Sequence, residues 1–331
     1  MLTQRTLVNS SISWCVPWRF ACCLSVLAFG CGQNQEDVQV DSFPDFGITA
    51  NNVFFYYDNL ARATAFYTQT LGLSIAADYG FAKILQVAPT SYITLVDATK
   101  GMHTTAEPKT VALALLTDQL DQWYEYLRSE NVAIKYQYDP VEGRPHHGFV
   151  ALDPEGYYLE FERFNEHPEN ESFIPLLEKT ETIFPKPTLG TGIPQGIGFK
   201  ATILWLYYRD MEGIQHFYEE HLGLKMVVDQ GWAKIYQSSP SGYIGPVDAT
   251  RGMHSYTESK AVTVSFLTED LDGWFEYVKS HEAFELRLDV ISEDDERYRA
   301  FVGFDPERYY LEFDQFLVHP DNARLLETLG R

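Results

Sequence analysis

Apolar and polar positions follow one order of elements again and again along the chain. Residues 52–57, Asn52-Val53-Phe54-Phe55-Tyr56-Tyr57, are mostly β-branched or aromatic and predict a strand. Asp58 or Asn59 offers a helix N-cap, and Leu60, Ala63, Ala65, Phe66 and Leu71 then keep a helical period up to Gly72. Three short strand-like runs follow, Leu73–Ala77, Phe81–Val87 and Tyr92–Val96. The order β-α-β-β-β begins again at Val111–Leu116. A helix capped by Thr117 or Asp118 carries Leu120, Trp123, Tyr124 and Leu127, and strands are expected around Ala133–Gln137, Gly148–Leu152 and Tyr157–Phe161.

This double motif is itself repeated. The heptapeptide Asp97-Ala98-Thr99-Lys100-Gly101-Met102-His103 returns as Asp248-Ala249-Thr250-Arg251-Gly252-Met253-His254, an offset of 151 residues. Leu71-Gly72-Leu73 matches Leu222-Gly223-Leu224, and Trp123 matches Trp274 at the same offset. Beyond that point the offset is 152: Asp153-Pro154-Glu155 matches Asp305-Pro306-Glu307, and Tyr157–Phe161 matches Tyr309–Phe313. Each repeat is about 120 residues, the size of a domain rather than of a solenoid unit. The expected class is α+β, with four βαβββ motifs in two tandem domains.

The predicted organisation is residues 1–30 signal peptide, 31–46 tether, 47–166 first domain, 167–198 linker, 199–318 second domain and 319–331 C-terminal helix. The linker is rich in proline and glycine. Its stretch 173–180 is expected to form a short helix against the first domain, and 321–330, with Leu325 and Leu326, another against the second. The two domains are expected to pack as an intramolecular pseudo-symmetric pair.

Composition adds two constraints. A net charge of −22 would repel a phosphate backbone, so nucleic acid is excluded as a partner. All four cysteines (Cys15, Cys22, Cys23, Cys31) lie in the first 31 residues, so the two domains have no disulfide. The apolar run 20–30 has the length of a signal-peptide core and is too short to span a bilayer. It ends at Gly30-Cys31 before a polar, acidic tail. This resembles a bacterial lipoprotein signal, and it departs from the usual pattern at Ala28 and Phe29. The resemblance implies lipidation at Cys31 and a membrane partner through that anchor, in the bacterial cell envelope.

The phrases Leu60–Tyr67 running into Leu71-Gly72-Leu73, and Asp153-Pro154-Glu155-Gly156-Tyr157-Tyr158-Leu159-Glu160-Phe161, resemble the vicinal-oxygen-chelate superfamily of glyoxalases, bleomycin resistance proteins and extradiol dioxygenases. The resemblance implies paired motifs curled into a cup, with a divalent metal held by His and Glu from first and last strands. Its ligand positions fall here on Asn52, Thr94, Ala112 and Glu160, and on Ile203, Gly245, Thr263 and Glu312. Six of the eight are lost. Glu160 and Glu312 remain, one per repeat, and a single carboxylate does not hold a divalent ion against water. No metal cofactor is therefore expected; iron, zinc, nickel or manganese on displaced ligands such as His103, His146 and Glu160 is the alternative.

In the heptapeptide, Asp97 and Asp248 suit a turn, Gly101 and Gly252 suit positive φ, and Met102 and Met253 suit irregular apolar space. A turn has no need of His103 or His254. Lys83 and Lys234, matched on strands, and the matched Tyr92 and Tyr243 complete a polar set. The candidate catalytic residues are Lys83, Asp97, His103, Lys234, Asp248 and His254, and the candidate ligand contacts are Tyr92 and Tyr243. The expected function is binding or transforming a small organic molecule without the family's metal. The alternatives are a metal-dependent lyase, isomerase or dioxygenase, and a non-catalytic envelope interaction module.

Overall fold

A computed structural model of the chain describes residues 47–185, 192–294 and 296–331. The signal-like segment, the tether and Cys31 lie outside the described residues. The first motif comprises β1 (Ile48–Tyr57), α1 (Leu60–Ala65), β2 (Ser74–Asp78), β3 (Ala82–Ala88) and β4 (Ser91–Asp97). The second comprises β5 (Val111–Leu116), α2 (Leu120–Ser129), β6 (Ile134–Tyr136), β7 (His146–Leu152) and β8 (Tyr158–Phe164). After α3 (Ile174–Lys179) the third motif has β9 (Ala201–Tyr208), α4 (Met211–His216), β10 (Lys225–Asp229), β11 (Lys234–Ser239) and β12 (Gly242–Asp248). The fourth has β13 (Val262–Thr268), α5 (Leu271–His281), the short β14 (Glu285–Leu286) and β15 (Ser292–Asp294), β16 (Tyr298–Phe304) and β17 (Tyr310–Phe316), before α6 (Ala323–Thr328). The α+β fold with four βαβββ motifs is as expected. Asn59 supplies the cap of α1, its side chain accepting from the amide of Arg62 at 2.9 Å.

The motifs pair across the repeats. One sheet runs β14-β16-β17-β13-β1-β4-β3-β2, joining the fourth motif to the first. The other runs β10-β11-β12-β9-β5-β8-β7-β6, joining the third to the second. The joints are antiparallel: Val53 opposes Val264 between β1 and β13, and Leu113 opposes Leu204 between β5 and β9. Each two-motif cup therefore takes one motif from each repeat. Every residue of β5 is buried, so both edges of this strand need partners, and the second edge is satisfied by the other repeat. We name the first-and-fourth sheet cup A and the second-and-third sheet cup B.

The Asp-Pro-Glu phrase fastens these joints. Asp153 Oδ2 accepts from Tyr57 Oη at 2.7 Å, and Glu155 accepts from the amides of Asp58 and Asn59 at 3.0 and 2.9 Å. Tyr157 Oη accepts from the amide of Tyr56 and donates to the carbonyl of Ala261 in the other repeat, at 3.0 and 2.6 Å. The second copy does the same through Asp305, Glu307 and Tyr309, with Tyr309 Oη reaching the carbonyl of Thr110 at 2.7 Å.

Strand alternation then divides the faces. Val53, Phe55 and Tyr57 enter a core shared by both repeats, while Asn52, Phe54 and Tyr56 face cup A. The two short helices follow the same exchange. Phe173, which leads into α3, packs on Phe164 of the first repeat and on Tyr243 of the second, both with ring centroids 4.9 Å apart. Leu325 and Leu326 of α6 join Ala76, Ile84 and Tyr92 of the first repeat rather than packing on the second alone. The expected one-helix-per-repeat packing is corrected accordingly, because each helix covers the end of a sheet and each sheet is built from both repeats.

Candidate functional site: two unequal cups

The heptapeptide forms the crossover that leaves each first-half motif. Asp97 Oδ1 accepts from the amide and hydroxyl of Thr99 at 2.9 and 2.7 Å, and Asp248 does the same with Thr250 at 2.8 and 2.7 Å. Both aspartates are thus turn formers, as the sequence implied. Gly101 and Gly252 do not take positive φ. They are needed for close approach: a Cβ at Gly101 would stand 2.6 Å from the ring of Tyr56, and at Gly252 2.5 Å from Tyr207.

The histidines are packing groups at the cross-repeat joints. His103 is 3% exposed, lies 4.3 Å from the Tyr310 ring and 4.9 Å from the Tyr56 ring, and its Nδ1 is 2.8 Å from Glu107 Oε2. His254 lies 4.2 Å from Tyr158 and 5.0 Å from Tyr207. Burial lowers the pKa of both against the pull of their hydrogen-bond partners, His254 to about 4, so both imidazoles are neutral at pH 7. Tyr310 belongs to the second repeat and Tyr158 to the first. The same uncommon peptide occurs twice because the fold has two equivalent joints to fasten.

The remaining polar set is also spread out. Lys83 alternates with Ala82 and Ile84, which line cup A, so it points to the opposite face and pairs with Asp78 across the strand pair. Lys234 pairs with Asp229 at 2.8 Å. Tyr92 bonds Thr328 of α6 at 2.9 Å, and Tyr243 packs on Phe173. None of Lys83, Asp97, His103, Tyr92, Lys234, Asp248, His254 or Tyr243 lines the cavities of the two cups.

Cup A holds a cavity of about 480 Å³. Its walls are Phe54, Tyr56, Tyr79, Phe81, Tyr298 and Phe301, with Met102, Leu288 and Val290 beside them and Lys100 and Arg287 also on the lining. Glu312 and Asp314 of β17 face this space. Asp314, 2% exposed, accepts from Ser265 Oγ at 2.6 Å and shares a hydrogen bond with Glu312. Burial, then the charge of Asp314, push Glu312 well above the usual carboxylate range. Burial pushes Asp314 up to about 7 against its hydrogen bonds. The pair therefore keeps one proton near neutral pH, as two close buried carboxyls must. Sequence reasoning found Glu312 but missed Asp314. Its signal was period two: one residue further along the inward face of the same strand.

Cup B has equivalent positions but its space is divided. Trp205 stands where cup A has Phe54, and Gly245 where cup A has Thr94; a Cβ at Gly245 would meet the Trp205 ring at 2.1 Å. The space left is a pocket of about 110 Å³ beside Trp205 and Tyr207 and another of about 330 Å³ beside Tyr136, Phe149 and Glu160. Its acid pair is Glu160 and Glu162. Glu162 is fully buried and its Oε1 pairs with His146 Nδ1, at the position of Tyr298 in cup A. Burial alone would lower His146, but the charge and hydrogen bond of Glu162 outweigh it and raise it to about 9, so the pair is ionic. Burial and the charge of Glu162 push Glu160 up to about 8. The conceived His103/His146/Glu160 set is not assembled: His146 and Glu160 line cup B, while His103 sits at the joint beside Tyr56 and Tyr310.

The family's metal does not fit this donor set. In cup A, Asn52 and Thr94 bond each other at 2.8 Å and Thr263 bonds Tyr56 at 2.7 Å, which leaves Glu312 and its neighbour Asp314 as carboxylates and no imidazole. In cup B, Ala112, Ile203 and Gly245 offer no donor.

Comparison with known proteins accords with the geometry. Residues 49–161 match the model of the Glyoxalase/Bleomycin resistance protein/Dioxygenase superfamily. A solved structure of a candidate dioxygenase from Bacillus subtilis is similar at 16% identity and a TM-score of 0.60, covering 86% of this chain and 90% of that one. Glyoxalase I from Zea mays is similar at 16% identity and a TM-score of 0.55, covering 84% and 94%. No curated protein matches the chain by sequence. The chain carries the fold of the glyoxalase, bleomycin resistance protein and dioxygenase superfamily, and its residues 49–161 match that superfamily's sequence pattern.

Proposed function

We propose that the protein is a bacterial envelope lipoprotein whose cup A binds, and in the active form transforms, a small organic molecule without a resident divalent metal. The observation that carries this is the single aromatic-walled cavity of about 480 Å³ in cup A, where cup B, with Trp205 in place of Phe54, has two smaller pockets of about 330 and 110 Å³. A cavity of that size, mostly apolar with a few convergent polar groups, suits a ligand of drug-like dimensions or smaller. The carboxyl pair Glu312 and Asp314 supplies a proton donor and an acceptor side by side at neutral pH, which is what acid–base chemistry on such a ligand needs. Cup B serves as structural support. The anchor is Cys31, outside the described residues; no described helix is long and apolar enough to cross a membrane.

Transplanting the plug tests the reading. Phe54→Trp with Thr94→Gly should close cup A, abolishing small-molecule binding while leaving the fold intact. Elemental analysis of chain purified without chelator should find no stoichiometric metal. About one iron, zinc, nickel or manganese per chain, lost on Glu312→Ala or Glu160→Ala, would replace this reading with the metal-dependent one. Cys31→Ala should move the protein from the membrane to the soluble fraction.

A further inference from the structure

We propose that the ligand of cup A is a small organic ammonium ion, seated between the aromatic walls with its charged nitrogen on the Glu312/Asp314 pair. The inference rests on cup A being a small-molecule site. Three observations point to it. The cavity is open and lined by six aromatic rings, Phe54, Tyr56, Tyr79, Phe81, Tyr298 and Phe301. Its wall carries two neighbouring acids, and Asp314 is 2% exposed. The third observation comes from the other cup. There the equivalent acid, Glu162, is met by a cation of the chain itself, His146. In cup A the equivalent of His146 is Tyr298, which cannot be cationic. The bound ammonium takes the place that the His146 imidazolium occupies in cup B.

The surroundings agree. Electron-rich ring faces attract an ammonium ion, most strongly in a desolvated site. A compact ammonium group needs acceptors, and both carboxyls are acceptors once the pair has lost its first proton. The other charged or titratable groups facing the pair are Tyr56, Tyr79 and Tyr298, all held neutral chiefly by burial, and Arg287, exposed at the mouth with Lys100. Arg287 acts on Glu312 through space and forms no ion pair with it among the described residues. The pair gives up its first proton as pH rises through about 7, so ammonium affinity rises across that range. Below it, each bound ammonium expels one proton.

The test uses the full chain and two matched probes, benzylammonium and benzyl alcohol, titrated by calorimetry at about pH 8 and about pH 5.5. The ammonium should bind at least about tenfold tighter than the alcohol at the higher pH, with the gap nearly closed at the lower. Asp314→Asn should remove the gap. Tyr298→His, which moves the cation of cup B into cup A, should remove it as well, and it does so without truncating a side chain. Equal binding of the two probes, or a preference that survives both variants, overturns the ammonium assignment. Alcohol binding that is lost in the Phe54→Trp, Thr94→Gly protein would then leave cup A standing as a neutral-ligand site. Failure of both probes to bind at either pH overturns the assignment and the cavity reading together.

Discussion

Cups A and B are built from matched strands, yet cup A encloses one cavity of about 480 Å³ and cup B two smaller pockets of about 330 and 110 Å³. Three exchanges account for this: Phe54 for Trp205 with Thr94 for Gly245, Tyr298 for His146, and Ser265 for Ala114. The first changes volume, and the glycine is required because the indole lies where any side chain at 245 would project. The second changes charge, giving cup B its own cation. The third gives Asp314 the hydroxyl that orients it at 2.6 Å. A scaffold whose joints are matched thus tolerates different interiors. The joints carry the fold, and the inward faces are free to differ.

The comparison breaks most visibly if the plug is removed. Trp205→Ala should cost about 3–5 kcal/mol in denaturant unfolding and leave a cavity that an apolar probe can enter. A loss under ~1 kcal/mol would mean that the indole does not hold cup B together.

Next in size is the acid pair of cup A. An acid raised by folding weakens the folded state once it ionises, so the Asp314 contribution falls as pH rises from its ordinary range to about 7. Asp314→Asn should therefore be more stable than the parent at pH 8 by on the order of 2 kcal/mol, and near neutral in effect at pH 4. The opposite sign at pH 8 would place a cation on the pair.

The joints should be symmetric where the cups are not. His103→Ala and His254→Ala should each cost about 1–2 kcal/mol in thermal or denaturant unfolding. The His254 contribution is fully present above the ordinary histidine range and lost as pH falls towards about 4, because the folded form resists protonation. His254→Ala should flatten that acid limb. Unchanged stability with altered ligand binding would return these histidines to a direct role in the site.

The smallest effect belongs to His146, which is raised to about 9 by Glu162 and is half-buried. Its stabilisation is complete below the ordinary histidine range and is lost as pH rises through about 9. His146→Gln should cost about 1 kcal/mol at pH 7 and nothing at pH 10, after allowance for solvent screening. An equal cost at both values would assign its role to packing alone.

Much of this was legible in the chain. The four βαβββ motifs follow from apolar periodicity, the repeat from the two heptapeptides, and the turn role of Asp97 and Asp248 from residue type. Glu312 was legible as a survivor of a ligand pattern. These are local properties, set by backbone propensity and by spacing along one strand or helix. The pairing of the first motif with the fourth was not legible, because β13 and β9 are both buried apolar strands and either edge pattern reads alike. Nor was the purpose of His103 and His254, since their partners Tyr310 and Tyr158 lie in the other repeat. The inward or outward direction of Lys83 depends on strand register, where a shift of one residue exchanges the faces. How the space of each cup is divided was decided only when Trp205 met Gly245 and His146 met Glu162, contacts between strands that the order of residues along the chain does not bring together.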